Sequence, residues 1–252
     1  WFFPSITCLE FLLKLLSKSE MKFSSYPVVE LQVKGETLRF EQDNGSMHVG
    51  TSVWPCSLVL VKWMENLITK GGHPPFDLEG KSAIDLGSGC GVAGLGFALL
   101  GLNIVLTDIA PVMPALRRNV KKNIASTSLV SAGKPNSLSG KVKVAQLYWG
   151  NATQIGALKP PFDIIIATDV IYLENIVEPL LSTFCALAGP SSVILLGYQL
   201  RSPEADELFW RLCPDLFHVE KVPREDLHPD YAFAEADVFI LRKKNPAPSQ
   251  SN

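Results

Sequence analysis

Residues 83–91 (AIDLGSGCG) are a short apolar run that leads into a glycine-rich turn. Gly87, Ser88 and Gly89 begin a G-x-G-x-G pattern, and glycines here let the backbone turn sharply after a strand and approach a ligand closely. From Gly89 onward the letters also match the G-x-G-x-x-G pattern of dinucleotide-binding loops. The loop therefore indicates a nucleotide-type cofactor and leaves its identity open.

The acid that precedes this loop bears on the choice of cofactor. Asp85 lies two residues before Gly87. A carboxylate at this place would repel the pyrophosphate that a dinucleotide brings to a helix N-terminus. It would attract the ammonium and sulfonium groups of S-adenosylmethionine. Asp85 therefore favours S-adenosylmethionine, which methyl transfer converts to S-adenosylhomocysteine, and a dinucleotide enzyme is the alternative.

A second acid, Asp108, ends the next apolar run at 103–107. A carboxylate at the end of a strand can accept hydrogen bonds from both hydroxyls of a ribose. The alternative is an N-cap for the helix that is predicted to begin near Pro111. The strand-end position favours ribose binding.

The apolar run at 163–168 is followed by a carboxylate and a phenol, Asp169 and Tyr172. Doubly wound folds bind their ligands at the carboxyl ends of the strands, and these two side chains can face one pocket if the chain turns there. The alternatives are a cap for the helix near Leu173 and simple packing of the phenol. We predict that the two residues face one pocket at this edge of the sheet.

The elements that must position these residues follow a regular rhythm. A hairpin (28–33 and 37–41) and a helix (57–69) come before the glycine loop. Buried strands are predicted at 83–86, 103–107, 142–147, 163–168, 192–197, 218–222 and 237–242. Helices are predicted at 92–100, 111–123, 173–188 and near 203–212. Apolar strands that alternate with helices predict a parallel sheet covered on both faces. The predicted fold is an α/β, doubly wound, seven-stranded Rossmann-like sheet with a reversed last strand, plus an N-terminal β-hairpin and helix.

Composition sets the domain organisation. The chain has 252 residues, 47% of them hydrophobic and 19% charged, which suits one sizeable α/β domain. We assign 21–244 to this domain, with a hairpin-and-helix part (21–75) and a Rossmann-like core (82–244). Residues 1–20 are expected to be non-native or disordered, and 245–252 a disordered tail. The polar stretch 126–140 is predicted to be a surface loop.

Charge and cysteine usage limit the partners. The net charge of −2 gives no electrostatic reason to expect nucleic acid or an anionic membrane. The five cysteines are scattered without a C-x-x-C, which favours a reduced intracellular chain. The four histidines are too dispersed for a metal site, so no metal is expected.

In their order along the chain, these motifs resemble methyltransferase family 16, the seven-strand protein-lysine methyltransferases. The likeness runs from about Val28 to Lys244. Its carriers are VW at 53–54, DLGSGCG at 85–91, LTD at 106–108, YWG at 148–150, the D-x-x-Y tetrad at 169–172 and FILRKK at 239–244. The tetrad is weak by itself, whereas the ordered set is specific. Two features depart from the family: Asp instead of the common Glu at position 85, and the long 126–140 insert.

For the cofactor, the resemblance implies a role at each matching position. Trp54 would lie over the carboxy-amino end of S-adenosylmethionine, and Gly87 to Gly89 would form the floor beneath its methionine part. Asp108 would hold the ribose, and Trp149 would flank the adenine. For each of the two tryptophans, packing in the core is the alternative.

For the methyl end, the resemblance implies that Ala167 contributes backbone to the pocket and that Asp169 and Tyr172 border the methyl group. The implied reaction is methyl transfer to a lysine side chain. That amine must first lose a proton, because its ordinary pKa is about 10.4.

The resemblance also implies a protein partner that carries the target lysine, with an ATPase or chaperone-type protein as the expected class. No nucleic acid or membrane partner is expected, and the enzyme is expected to act as a monomer in the cytoplasm and also in the nucleus. One alternative is a methyltransferase of the same fold that acts on a small molecule or another nucleophile. The other is a non-catalytic protein that binds S-adenosylmethionine.

Overall fold

The structure is a computed structural model that describes residues 26–43, 45–72, 74, 76–127 and 140–244. The predicted extension 1–20, nearly all of the 126–140 insert and the tail 245–252 lie outside the described residues. The predictions made for those three segments therefore stay predictions.

The described residues contain nine strands and six helices. The strands are β1 (Val28–Val33), β2 (Glu36–Glu41), β3 (Ser82–Leu86), β4 (Asn103–Asp108), β5 (Val142–Gln146), β6 (Phe162–Thr168), β7 (Ala188–Tyr198), β8 (Phe217–Lys221) and β9 (Asp237–Lys243). The helices are α1 (Pro55–Thr69), α2 (Val92–Leu99), α3 (Met113–Ser126), α4 (Ala152–Ala157), α5 (Val177–Leu187) and α6 (Pro203–Leu216). None of these helices is long and apolar enough to cross a membrane.

Seven strands form one sheet in the order β5-β4-β3-β6-β7-β9-β8. The first five run parallel, and β9 runs antiparallel to both of its neighbours. This confirms the predicted seven-stranded, Rossmann-like sheet with a reversed last strand. Because β3, β4, β6 and β7 are parallel, their carboxyl ends meet at one edge, and the loops that follow them converge there.

The sheet separates two apolar cores. Successive side chains of a strand point to opposite faces of the sheet and therefore pack into different cores. Along β6, Ile164 and Ile166 pack into one core, whereas Ile165 and Ala167 pack into the other. The first core lies under the hairpin, α1 and α2, and the second lies under α5 and α6. Each fully buried isoleucine side chain contributes about 1.5–3 kcal/mol of transfer free energy. Both faces of the sheet are therefore covered, as the continuous apolar strands predicted.

Two buried asparagines of α3 hold the predicted hairpin against the core. The Asn119 side chain accepts from the backbone N of Glu41 (2.9 Å) and donates to its carbonyl (3.0 Å). The Asn123 side chain does the same at Arg39, with both distances 2.8 Å. The amides thus satisfy the outer edge of β2, which would otherwise leave backbone groups unpaired. This contact fixes where the chain after β2 approaches the edge of the sheet.

Two of the differences between the predicted and the observed elements concern helices. The helix predicted from 173 begins as a 3-10 turn, Glu174–Ile176, and becomes α-helical only at Val177. The short helix α4 was not predicted. Asn151 caps it by accepting from the backbone N of Gln154 at 3.0 Å, a local contact that six residues of weak periodicity do not reveal.

Candidate active site

A cavity of about 620 Å³ lies at the edge where the carboxyl ends of the parallel strands meet. Its volume falls in the range of about 300–1,000 Å³ that is usual for small-molecule sites. The lining comes from the segment before α1, the glycine loop after β3, the chain after β4, the residues after β5, the chain after β6, and Arg201 after β7.

Most of the predicted site residues meet in this cavity. Those that line it are Trp54, Gly87, Ser88, Gly89, Asp108, Trp149, Asp169 and Tyr172. Asp85 and Ala167 are fully buried and do not belong to the lining. The sequence motifs therefore converge on one site, with two members placed behind its surface.

The glycine loop has the conformation that its sequence predicts. Gly87 and Gly89 have φ values of +66° and +55°, which side chains of L-residues rarely adopt. A Cβ at Gly89 would lie 2.9 Å from the carbonyl oxygen of Gly50. The loop thus leaves no room for a side chain on this side and keeps its backbone close to the cavity.

Asp108 is the last residue of β4, and its side chain connects this strand to the glycine loop by a hydrogen bond. Its Oδ2 accepts from the backbone N of Gly89 and its Oδ1 from the backbone N of Ile109, both at 2.8 Å. Burial raises the pKa of this carboxyl to about 6. The helix-capping alternative is wrong, because α3 begins at Met113 with no side-chain cap. Asp108 instead faces the cavity, where ribose binding stays a prediction.

Asp85 lies beneath the loop. Its Oδ2 accepts from the backbone N of Gly94 in the first turn of α2, at 3.0 Å. Its Oδ1 has no hydrogen-bond partner, and burial raises the pKa of the carboxyl to about 7. The side chain thus ties β3 to α2, and contact with the charges of a cofactor stays a prediction.

The two predicted tryptophans are half-buried and present aromatic surface to the cavity. Trp54 is the N-cap residue of α1, and its indole N–H donates to the carbonyl of Val49 at 2.9 Å. The Trp149 ring lies against the glycine loop, 3.2 Å from where a Cβ of Gly87 would stand. Both rings line the cavity, so neither is confined to the core.

Asp169 is the most constrained of the predicted residues. It has a φ of +55°, which is uncommon for a residue with a side chain, and its backbone N donates to the carbonyl of Gly197 at 3.0 Å. Its Oδ2 accepts from the backbone N of Cys56, in the first turn of α1, at 3.0 Å. Asp169 therefore does cap a helix, but the helix is α1 and not the one near Leu173.

Arg201 is a site residue that the sequence reasoning missed. Its Nε and Nη2 donate to Oδ1 of Asp169 at 3.1 and 2.7 Å, and the two side chains are only 5% and 4% exposed. Its guanidinium carbon lies 4.7 Å from the centre of the Trp54 ring. One signal could have identified it, since a lone cation just beyond a buried strand lies at the ligand-binding edge of this fold.

Comparison with known proteins decides the family. Residues 32–214 match the profile of a family described as lysine methyltransferase. The chain belongs to the lysine methyltransferase family. Protein N-lysine methyltransferase METTL21A of Mus musculus is 32% identical over 206 residues, which cover 80% of this chain and 85% of that protein. EEF1A lysine methyltransferase 3 of Mus musculus is 29% identical over 217 residues, 85% of this chain and 82% of that protein.

Solved structures support the fold. A T. thermophilus 16S rRNA methyltransferase (RsmC), in complex with AdoMet and guanosine, matches with a TM-score of 0.54 and 18% identity. The match covers 86% of this chain and half (50%) of the other. This match confirms the fold. The family and its relatives confirm the prediction of an S-adenosylmethionine-dependent lysine methyltransferase.

The cavity of this lysine methyltransferase suits its cofactor. A buried carboxylate at Asp108, close-approaching backbone at the glycine loop and two aromatic faces match a ligand that carries both a nucleoside and a cation. Cys90 also lines the cavity, but burial raises the pKa of its thiol to about 12, which keeps it protonated. Within the described residues, no group of three or more His, Cys, Asp or Glu side chains could hold a metal ion.

Proposed function

We propose that this lysine methyltransferase transfers methyl groups to the side-chain nitrogen of a lysine at the Asp169–Tyr172 end of the cavity. The observation that carries the proposal is that one cavity contains both the glycine loop with Asp108 and the D-x-x-Y pair. A cofactor held at the first end and an amine held at the second would meet in the same space.

The proposal assigns the cofactor to residues that already have fixed positions. Gly87 to Gly89 would support the methionine part, Asp108 the ribose, Trp149 the adenine and Trp54 the carboxy-amino end. S-adenosylmethionine supplies a methyl group activated by the sulfonium. The protein contributes alignment, which can lower a barrier substantially when the reacting groups are held in place.

Asp169 is suited to orient a neutral amine. A carboxylate offers about four lone-pair positions. Arg201 donates two bonds to Oδ1, the backbone N of Cys56 donates one to Oδ2, and the Cys56 thiol also interacts with this carboxylate. Because a thiol is only a weak donor, an N–H of the lysine amine could take its place on the carboxylate. Tyr172 and Trp54 line the same cavity, and their aromatic surface favours the neutral amine over the ammonium.

For the partner, we propose a protein of the ATPase or chaperone type. Among the relatives, EEF1A lysine methyltransferase 3 is named for a protein substrate, EEF1A. The motifs of this chain also resemble those of the family member that trimethylates a lysine of valosin-containing protein, an ATPase. The net charge of −2 supports a protein partner over nucleic acid. We place the enzyme in the cytoplasm, also in the nucleus, and expect it to act as a monomer.

One experiment tests this function directly. The protein is incubated with tritium-labelled S-adenosylmethionine and a cell extract, and the labelled band and the methylated atom are identified by mass spectrometry. We expect label on lysine nitrogen of one or a few proteins, and much less with Asp169→Asn. Asp215→Asn, an exposed acid in α6, is the matched control and should label as the parent does.

Three results would contradict the proposal. If Asp169→Asn labels protein as fully as the parent and binds the cofactor with unchanged affinity, Asp169 does not orient the amine. Label on a small molecule, or on an atom other than lysine nitrogen, would favour the alternative methyltransferase activity. Absence of any label, with tight binding of S-adenosylhomocysteine in calorimetry, would favour the non-catalytic alternative.

A further inference from the structure

We propose that Arg201 is a positioning residue for methyl transfer, which holds Asp169 and Trp54 in one arrangement at the cavity. This inference deepens the proposed function and rests on it for the catalytic meaning of Asp169. The roles of the D-x-x-Y pair concern contact with the amine. The role of Arg201 concerns how the side chains that make those contacts are held.

The contact with Asp169 is directional. Two N–H groups of the guanidinium, Nε at 3.1 Å and Nη2 at 2.7 Å, donate to the same oxygen, Oδ1. Charge-assisted hydrogen bonds of this kind are stronger than neutral ones, and the rigid guanidinium plane sets their direction. With Oδ1 held by Arg201 and Oδ2 by Cys56 N, the carboxylate cannot rotate without losing a bond. The carboxylate therefore keeps one orientation.

The contact with Trp54 extends the same control to a residue that is proposed to contact the cofactor. The guanidinium carbon lies 4.7 Å from the centre of the indole, within the distance at which a cation is attracted to an aromatic face. The indole N–H is fixed independently by the Val49 carbonyl. Arg201 thus contacts the face of the Trp54 ring, and Val49 holds the edge of the same ring.

Arg201 therefore joins three segments that are far apart in the chain: the start of α1, the end of β6 and the chain after β7. A buried ion pair alone is weak evidence for stability, because desolvation of the two charges offsets much of their attraction. This pair instead lines the cavity, and the cation also covers the face of a second lining residue. Its placement is therefore suited to positioning more than to stability.

Binding of S-adenosylhomocysteine tests the coupling of Arg201 to Trp54, without any knowledge of the protein substrate. Calorimetry is performed on the parent, Arg201→Met, Trp54→Leu and the double variant. We expect Arg201→Met to weaken binding about threefold or more. In the Trp54→Leu background the same change should have no further effect. An equal effect in both backgrounds, or no effect in the parent, would overturn the coupling.

Two further variants keep this binding test decisive. Arg211→Met removes an exposed arginine of α6 and should bind S-adenosylhomocysteine as the parent does. If Arg201→Met does not fold, as judged by circular dichroism, Arg201→Lys takes its place in the cycle. Lysine keeps the charge but lacks the planar fork. It should therefore show a smaller loss of binding that still depends on Trp54.

Methyl transfer tests the positioning of Asp169. Incorporation from saturating labelled S-adenosylmethionine is measured over a dilution series of the cell extract. We expect Arg201→Lys to lower the maximal rate of methyl transfer about tenfold or more. The extract concentration at which the rate is half-maximal should change less than about threefold. A parental maximal rate, or a change in the half-saturating concentration alone, would overturn the proposal. If the parent enzyme labels no protein, the proposed function fails, and the binding cycle still decides whether Arg201 positions Trp54.

Discussion

The two ends of the cavity are built in different ways. At the cofactor end, the glycine loop and Asp108 come from two adjacent parallel strands, β3 and β4, and are joined by backbone N–H groups. At the methyl-transfer end, Trp54, Asp169 and Arg201 come from three segments that are distant in the chain and are joined mainly through side chains. The first end is an arrangement of backbone, and the second is a network of side chains.

The difference extends to the electrostatics. In the described contacts of the cofactor end, Asp85 and Asp108 are held by backbone amides, and burial raises their pKa values to about 7 and about 6. At the methyl-transfer end, a guanidinium neutralises Asp169. The cofactor end therefore has carboxyls that take up protons near neutral pH, whereas the carboxylate of the other end is paired with a guanidinium. The following predictions test this contrast, beginning with the largest expected effect.

Removing the carboxylate of Asp169 should have the largest effect. Asp169→Ala leaves the buried guanidinium of Arg201 without its partner and the first turn of α1 without its cap. We expect the free energy of unfolding, measured with urea, to fall by about 3–5 kcal/mol. Asp215→Ala at an exposed position should change it by less than about 0.5 kcal/mol. A similarly small change for Asp169→Ala would show that the network contributes little.

The buried acid at the cofactor end should produce a pH dependence. Because the pKa of Asp85 is about 7 in the folded protein and near 3.8 otherwise, the folded state binds the proton more tightly. Its contribution to stability is therefore full below pH 4 and is lost as pH rises to about 7.

The variant Asp85→Asn should remove this part of the pH dependence. Without cofactor, we expect the loss of unfolding free energy between pH 5 and pH 8 to be smaller than in the parent by about 2–3 kcal/mol. Asp77→Asn, at an exposed acid, is the control and should keep the parental difference. Equal pH dependence in Asp85→Asn and the parent would mean that Asp85 is already ionised at pH 5.

A methyl group on the glycine loop should disturb the backbone-built end. In Gly89→Ala the new Cβ would meet the Gly50 carbonyl at 2.9 Å, at a φ of +55°. We expect thermal and urea unfolding to show a loss of about 1–2 kcal/mol, together with weaker binding of S-adenosylhomocysteine. The matched control is Gly156→Ala in α4, where no atom lies within 4 Å of the new carbon and stability should not fall.

The smallest effect is expected for a change that keeps the shape of Asp108. Asp108→Asn retains an oxygen that can accept from Gly89 N, but it loses the second acceptor that a ribose would use. We expect the affinity for S-adenosylhomocysteine to fall about tenfold, which corresponds to about 1.4 kcal/mol. Calorimetry at pH 8 measures it, since Asp108 is ionised there. An unchanged affinity would contradict ribose binding by this residue.

Much of the fold and the cofactor end could be predicted from the sequence. Asp85, Gly87, Gly89 and Asp108 lie in or directly beside strands, so a local pattern of apolar residues, glycines and acids places them at one edge of a parallel sheet. The strand that precedes Asp169 could be located in the same way. The partners of Asp169 could not, because Cys56 and Arg201 are 113 and 32 residues away.

The amino-acid sequence by itself determined the strands, the glycine turns, the order of the motifs and thereby the family. These depend on periodicity and on backbone preferences that act over a few residues. Only the tertiary structure decided that Asp85 lies behind the cavity, that Asp169 caps α1, and that Arg201 joins Asp169 to Trp54. These outcomes depend on which side chains become buried together. A buried carboxylate has no water to bind, so it must find its hydrogen-bond partners in the protein. Contacts of that kind are set by packing between distant segments, which no local pattern encodes.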